Sequence, residues 1–424
     1  MRLESRTRSR VALTTLLLSL ALFAAAPSAN AHHPPSASPA AITNWDAIAV
    51  RTIAVEAMRP PPETQLYMGF VSAAMYDAVV AIDPAYEPYG PPLHAHRRAS
   101  IDAAVAAAAH GVLKTYFPAS ASALDADYQA SLATIPDGRA KDKGVAVGEA
   151  AAALIEQLRA GDGRNAPIVY TRAPAPGVWR PTSAAPFTVP WLGFVRPLLL
   201  TSPTQIAPPG PYALTSDAYT RDYDEVKAFG RATSSFRTPE QAATALFWSV
   251  NPLVQYQAAL RDRVARRGLD AVQTARMFAI VNMSAADALI ACWRAKFDFA
   301  FWRPVTAIQL GDSDGNPDTV ADPTWTSLQA APPYPDYPAG HACMTGAVSK
   351  SVSALFGRDD IDLFISSTAT GTTRHYTSAR TLNRDTMDAR VWLGIHFRKA
   401  VADGNRLGRK VAKYALATAF MPTR

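Results

Sequence analysis

Apolar residues recur at helical spacing over most of the chain. From Trp45 to about Leu158 an alanine-rich stretch carries Tyr67, Phe70, Val71, Met75, Val79 and Val80, the stripe of a helix with one buried face, and several packed helices are expected there. The pattern resumes after Thr238 through Ala265, again from Ala271 to Phe301, and from about Thr386 to Ala417; these are the longest helices expected. No run alternates with the two-residue period of a strand, and no segment repeats at solenoid spacing. The expected fold class is all-α, with helical bundles joined by long proline-rich loops.

Between Thr171 and Pro211 ten prolines interrupt the chain, and Trp179, Trp191 and Phe194 lie among them. Proline lacks the N–H that a helix needs, so this segment is a loop. Its tryptophans and leucines argue against a solvated linker and for a loop that covers something. The chain is therefore read as a leader at residues 1–31, an N-terminal helical region at 32–237 that includes the loop 171–211, and a C-terminal helical bundle at 238–424.

The composition, 49% hydrophobic and 18% charged over 424 residues, supports a large core and excludes a disordered chain. The 34 prolines and 22 glycines follow no fixed period, which excludes a collagen-like chain. A formal charge of +7 invites a nucleic-acid partner. However, Arg2, Arg6, Arg8 and Arg10 against Glu4 supply +3 of it, and no basic block interleaved with aromatics follows, so no nucleic-acid partner is expected. That basic start, the apolar stretch Val11 to Ala26 and the small residues Ala29-Asn30-Ala31 read as a secretory signal cut after Ala31. Secretion or a periplasmic location follows as an expectation, with no later run of membrane-spanning length. Two cysteines, Cys292 and Cys343, allow at most one bridge.

Three segments concentrate residues able to hold an anion. In Lys296-Phe-Asp-Phe-Ala-Phe-Trp-Arg303-Pro304 the two cations are seven positions apart, which on one helix would aim both from nearly one face. In Tyr337-Pro338-Ala339-Gly340-His341 a turn opens a helix whose first N–H groups point outward. In Arg390-Val-Trp-Leu-Gly-Ile-His396, placed near the start of the last long helix, apolar neighbours surround two polar groups, and a buried arginine needs an anionic partner. Each segment alone fits a blander role: a solvated basic edge, a helix start with a surface histidine, an arginine on a structural carboxylate.

Together and in this order, Lys-x6-Arg-Pro, Pro-x-Gly-His and Arg-x5-His, the segments resemble the signature of vanadium-dependent haloperoxidases and their relatives, the type 2 phosphatidic acid phosphatases and bacterial acid phosphatases. Phe301-Trp-Arg-Pro-Val-Thr-Ala-Ile308, Asp314-Gly-Asn-Pro317 and the proline-rich loop extend the likeness to the secreted bacterial haloperoxidase-type branch, over roughly Trp45 to Ala417. The resemblance implies a helical bundle of that type and a tetrahedral oxyanion held by Lys296, Arg303, Arg390, the amide of Gly340 and a ring nitrogen of His396. The cofactor would be vanadate, with His396 its metal ligand, and the partners hydrogen peroxide, a halide and a small organic acceptor. In a phosphatase the ion would be phosphate and His396 the nucleophile. His341 would be the acid/base group.

Two positions depart from the family pattern. Ala339 stands where a serine commonly donates a hydroxyl, and Ala400 where phosphatase relatives carry the aspartate that orients the histidine; Asp403 is the nearest substitute. The implied activity is a vanadate-dependent haloperoxidase, with a soluble phosphomonoesterase or a non-catalytic oxyanion-binding protein as alternatives. Among other signals, Asp312, Asp314, Asn316 and Asp318 read as a polar turn rather than a calcium loop. His94, His96, His32 and His33 lack a suitably spaced third ligand. His375 and Trp302 are placed at the entrance to the site, and Cys292 and Cys343 side by side behind it.

Overall fold

The computed structural model describes residues 37–233, 235–357 and 360–423. The leader expected over residues 1–31 lies outside the described residues. Helices α1 (Ala40–Val50), α2 (Pro61–Ile82), α3 (Ile101–Tyr116), α4 (Ala121–Ala133) and α5 (Arg139–Leu158) precede the proline-rich loop. After it come α6 (Asp217–Phe229), α7 (Pro239–Phe247), α8 (Pro252–Arg267), α9 (Ala271–Phe299), the short α10 (Pro304–Gln309), α11 (Gly340–Phe356), α12 (Ala379–Trp392) and α13 (Arg398–Thr418).

Local chemistry sets the ends of the helices that matter most. Helix α2 starts on Pro61, whose fixed φ suits the first helical position. Helix α9 starts with a reciprocal cap, in which the Gln273 amide donates to Asp270 Oδ1 at 2.8 Å and the Asp270 amide to Gln273 Oε1 at 3.3 Å. These two helices pack against each other at the centre, and α9 also carries α11 and α13. Contrary to the expectation from the sequence, both contain a window long and apolar enough to cross a membrane; 94% of each window is buried inside the protein, which is what a central helix requires.

Three other expectations need correction. A two-stranded antiparallel hairpin, β1 (Leu363–Ser367) and β2 (Thr372–Tyr376), pairs Leu363 with Tyr376 and Ile365 with Arg374. Its inward side alternates in β1, but the consecutive apolar residues Leu363-Phe364-Ile365 hide that period in the sequence. The helix expected from Ala271 to Phe301 stops at Phe299, because Ala300 turns to φ 47° and donates its amide to the Lys296 carbonyl at 2.9 Å. The helix expected from Thr386 to Ala417 is two helices. Gly394 breaks it at φ 76°, where a Cβ would collide with the carbonyl of Gly230, so that only glycine fits.

The proline-rich loop packs on the C-terminal end of α9. Leu198, Leu199 and Leu200 donate their amides to the buried carboxylate of Asp287 at 2.6 to 2.7 Å. Trp179 donates to the Ala300 carbonyl at 2.7 Å, Trp302 to the Gly177 carbonyl at 3.0 Å, and Thr188 to the Pro333 carbonyl at 2.9 Å. The loop thereby clamps the segment 300–303 between itself and residues 332–337.

Candidate active site

Each of the two helix breaks creates part of the site. Arg303 follows the end of α9 and caps α10, so it does not share a helical face with Lys296; the extended segment carries it back toward the same space. On an unbroken helix Arg390 and His396 would point about 120° apart. The turn at Gly394 instead returns His396 beside the guanidinium of Arg303, whose Nη1 lies 3.2 Å from His396 Nε2.

Lys296, Arg303, Arg390, His396 and Asp336 are each no more than 1% exposed. Lys296 Nζ donates to the carbonyls of Pro335 at 2.6 Å and Asp336 at 3.0 Å. Arg303 donates from Nε to Tyr334 at 2.8 Å and from Nη1 to Ile395 at 2.7 Å, again to carbonyls. The Arg390 Nη1 reaches the Trp248 carbonyl at 2.8 Å, and its buried Nε has no partner. The ring of Tyr334 lies 5.0 Å from the Lys296 ammonium and 4.8 Å from the Arg303 guanidinium.

Within this cluster two cations, Lys296 and Arg303, act on the carboxylate of Asp336, whose Oδ1 is 3.9 Å from Arg303 Nη1, while the charge of Arg390 acts on His396. Burial and mutual repulsion act accordingly. Burial, with the charge of Arg303, brings Lys296 down to about 8, and burial brings Arg390 down to about 10. Burial raises Asp336 to about 7, although Arg303 and Lys296 oppose the rise. A buried excess of cations is costly unless an anion offsets it.

Asp336 is the functional residue that the sequence reading missed. Its Oδ1 accepts from His396 Nδ1 at 2.8 Å, so the neutral imidazole holds its proton on Nδ1 and presents the Nε2 lone pair. His396 stays neutral because burial, then the charges of Arg303, Lys296 and Arg390, push it well below the usual histidine value. Asp403, the expected substitute, is engaged elsewhere: Tyr337 donates to it at 2.8 Å, and Lys399 and Arg406 pair with it at 2.8 and 2.9 Å. The clue in the sequence was the demand of buried arginines for a carboxylate, together with an aspartate four residues before the Gly-His helix start.

Gly340 and His341 begin α11 as the motif predicts. Ala339, in place of serine, gives the helix no side-chain cap, which leaves its first amides unclaimed by any side chain. A Cβ on Gly340 would press to 3.0 Å from the indole of Trp293, a tight approach that glycine avoids. The half-buried His341 lines a cavity of about 360 Å³ together with Gly340 and Arg390. Its Nε2 lies 3.2 Å from the Val250 carbonyl, which makes Nε2 the donor and leaves Nδ1 able to take a proton. Burial and the charge of Arg390 lower its pKa well below the ordinary value, so it is a neutral base.

The structure does not bring the other expected residues to this cavity. His375 sits on β2, stacked on Phe364 and bonded to Asp362 at 2.8 Å, and Trp302 is buried in a separate core cluster with Tyr219 and Phe397. Cys292 and Cys343 are both free and buried; their thiols are neighbours, and Cys292 donates to the Pro338 carbonyl at 3.4 Å. In the Asp312–Asp318 turn the carboxylates accept from Asn316, Thr319 and Ala321, as in a polar turn.

Residues 276–423 match the family model of the VCPO second helical-bundle domain. A vanadium chloroperoxidase of Curvularia inaequalis is 29% identical over 262 residues, which are 45% of this chain; the chain spans 42% of the length of that relative. Among solved structures, the first bacterial vanadium-dependent iodoperoxidase superposes with a TM-score of 0.77 at 21% identity, over 92% of this chain and 98% of the other. A holo-type bacterial vanadium-dependent chloroperoxidase superposes with a TM-score of 0.68 at 18% identity, over 87% and 93%. The chain has the vanadium haloperoxidase fold.

Proposed function

We propose that the protein is a vanadate-dependent haloperoxidase that uses hydrogen peroxide to oxidise a halide to a hypohalous species. The observation that carries this reading is the buried gathering of Lys296, Arg303 and Arg390 about His396, with an unpartnered Arg390 Nε. Such a set fits a tetrahedral oxyanion: guanidinium groups supply paired N–H donors, lysine a point charge, and the uncapped start of α11 its amides. Lys296, Arg303, Arg390 and the Gly340 amide would hold vanadate, and His396 would offer Nε2 to the metal. When bound, vanadate supplies activation of peroxide toward halide without a change of metal oxidation state.

The protein groups have separable tasks. Asp336 fixes the His396 tautomer, and the three cations hold negative charge in place where water is excluded. His341, neutral and open to the cavity, takes the proton that peroxide must lose. The deciding experiment is a paired assay on one sample: bromide- and peroxide-dependent halogenation with and without added vanadate, beside aryl-phosphate hydrolysis. Halogenation that requires vanadate is expected. Hydrolysis alone would replace this reading with the phosphomonoesterase, which the Asp336–His396 pair favours because a nucleophilic histidine needs its tautomer fixed. Oxyanion binding with neither activity would leave a binding protein. Export is proposed on the pattern of residues 1–31; a mature chain beginning at His32 in the secreted fraction is the expected result.

A further inference from the structure

Helices α9 and α11 meet along two ridges of small side chains. On α9 the ridge is Ser284, Ala288 and Cys292, and on α11 it is Cys343, Ala347 and Ser351, each residue four positions from the next. All six are 0% exposed. One end of the contact is fixed by Ser284 Oγ and Ser351 Oγ, which lie 3.1 Å apart. The other end is fixed by Gly340, where an added Cβ would stand 3.0 Å from Trp293 and 3.8 Å from Leu289, so the helices run antiparallel. Cys292 lies eight residues after Ser284, and Cys343 eight residues before Ser351. In an antiparallel pair equal steps in opposite directions arrive at facing positions, so the two thiols face each other. A hydrogen bond from Cys343 to Cys292 agrees with that register.

The dithiol lies one layer behind the cavity wall. Leu289 and Trp293 flank Cys292 on α9, Gly340 and Met344 flank Cys343 on α11, and these four residues line the cavity. Lys296 is one turn beyond Cys292. Burial opposes a thiolate at Cys292, but the hydrogen bond from Cys343 and the charges of Lys296 and Arg303 outweigh it and hold this thiol below its usual value. Burial, then the neighbouring Cys292, push Cys343 well above its usual value. One thiol is thus prepared to attack and the other to resolve. Both sulfurs are closed to solvent, so a bulky disulfide cannot reach them, whereas a molecule little larger than water needs only a small opening from the cavity.

We propose that Cys292 and Cys343 form a redox site, a dithiol that hydrogen peroxide converts into a reversible disulfide bridging α9 to α11. Cys292 Sγ bonds to one peroxide oxygen, the O–O bond breaks, and the other oxygen leaves with the thiol proton as water. Cys343 Sγ then bonds to Cys292 Sγ, the S–O bond breaks, and the hydroxyl leaves with the Cys343 proton as a second water. Two thiols lose two electrons and one peroxide gains them. The bridge stops Cys292 short of the irreversible sulfinic acid, whose permanent negative charge one turn from Lys296 would repel an oxyanion. Peroxide is the sole co-reactant, so the inference stands apart from the reaction performed at the oxyanion site.

The full chain, purified with its thiols reduced and free of vanadate and halide, is treated with hydrogen peroxide, unfolded in acid with an alkylating reagent and mapped by mass spectrometry without reduction. One intramolecular Cys292–Cys343 peptide is expected, with both thiols lost together and recovered by a phosphine. Oxidised glutathione at the same concentration is expected to form it at least about tenfold more slowly. In Cys343→Ser the same peroxide dose should leave Cys292 as sulfinate, and phosphate affinity, read by calorimetry, should fall about tenfold or more; the unsubstituted chain should keep its affinity within about twofold. Surviving thiols, bridges between molecules, separate over-oxidation of the two cysteines in the unsubstituted chain, or equally fast bridging by glutathione would each overturn the inference. Peptide mapping of the unsubstituted chain decides this even if Cys343→Ser does not fold. With no halide present, failure of the haloperoxidase reading would leave every one of these outcomes unchanged.

Discussion

Asp336 Oδ1 lies 2.8 Å from His396 Nδ1, and both side chains are buried. The contact decides which ring nitrogen carries the proton, and hence whether Nε2 can bond to anything. Asp336→Asn keeps the shape but offers an amide that can donate to Nδ1 and favour the other tautomer. Oxyanion affinity and turnover are both expected to fall by roughly 10- to 100-fold, the usual cost of losing such a partner. Vanadate titration and halogenation rates check this, with circular dichroism to confirm folding. Unchanged affinity would assign Asp336 a packing role only.

Lys296 gives the site a pH limit. Burial brings it down to about 8, so it carries its charge below that pH and loses it above. Oxyanion affinity is expected to decline above pH 8, approaching tenfold per unit, because the bound ion holds the lysine proton that the free site has lost. The ligand-free protein should behave oppositely. Unfolded lysine titrates near 10.4, so between 8 and that value the unfolded chain binds the extra proton and stability rises with pH. Calorimetric titration from pH 7 to 10 reads the first effect and denaturant melts the second; Lys296→Met should flatten both.

The residues of the site were legible in the sequence, whereas the backbone that unites them was not. The Pro-x-Gly-His helix start could be read because proline and glycine announce a turn and the apolar spacing after it announces a helix. The convergence of Arg390 and His396 depends on the turn at Gly394, and one glycine in a helical pattern does not distinguish a tolerated residue from a break. What makes glycine necessary there is the backbone of Gly230, 164 positions earlier in the chain, and no local pattern carries that contact. Asp336 was hidden for the same reason, since its partner His396 is 60 positions away. His375 was misplaced because its position in the chain, between the Gly340-His341 and Arg390–His396 segments, suggests a pocket wall, while it sits on β2 paired with β1 and is bonded to Asp362.

His341 separates binding from chemistry. It reaches the cavity through α11, and its hydrogen bond goes to a backbone carbonyl rather than to any cation of the cluster. His341→Ala is therefore expected to leave oxyanion affinity within about threefold and to lower turnover by the ~10²- to 10⁴-fold typical of a lost acid/base group. Parallel vanadate binding and halogenation measurements give both numbers. Equal losses in the two would mean that His341 is an oxyanion ligand and that the proton acceptor lies elsewhere.

The excess of buried cations also makes a bound anion a structural element. Any ion that binds the folded chain and not the unfolded one stabilises it by about 2.7 kcal/mol at a hundredfold excess over Kd. Vanadate or phosphate should therefore raise the melting temperature by several degrees, and chloride at the same ionic strength should not. Arg390→Ala is the discriminating variant. It removes a cation whose Nε has no partner and whose Nη1 serves one carbonyl, that of Trp248. Its own baseline should fall by only ~1–3 kcal/mol, the cost of leaving that carbonyl unpaired, while most of the oxyanion-induced shift disappears. Differential scanning fluorimetry reads both quantities together, and an oxyanion shift that survives in Arg390→Ala would place the anion away from this cluster.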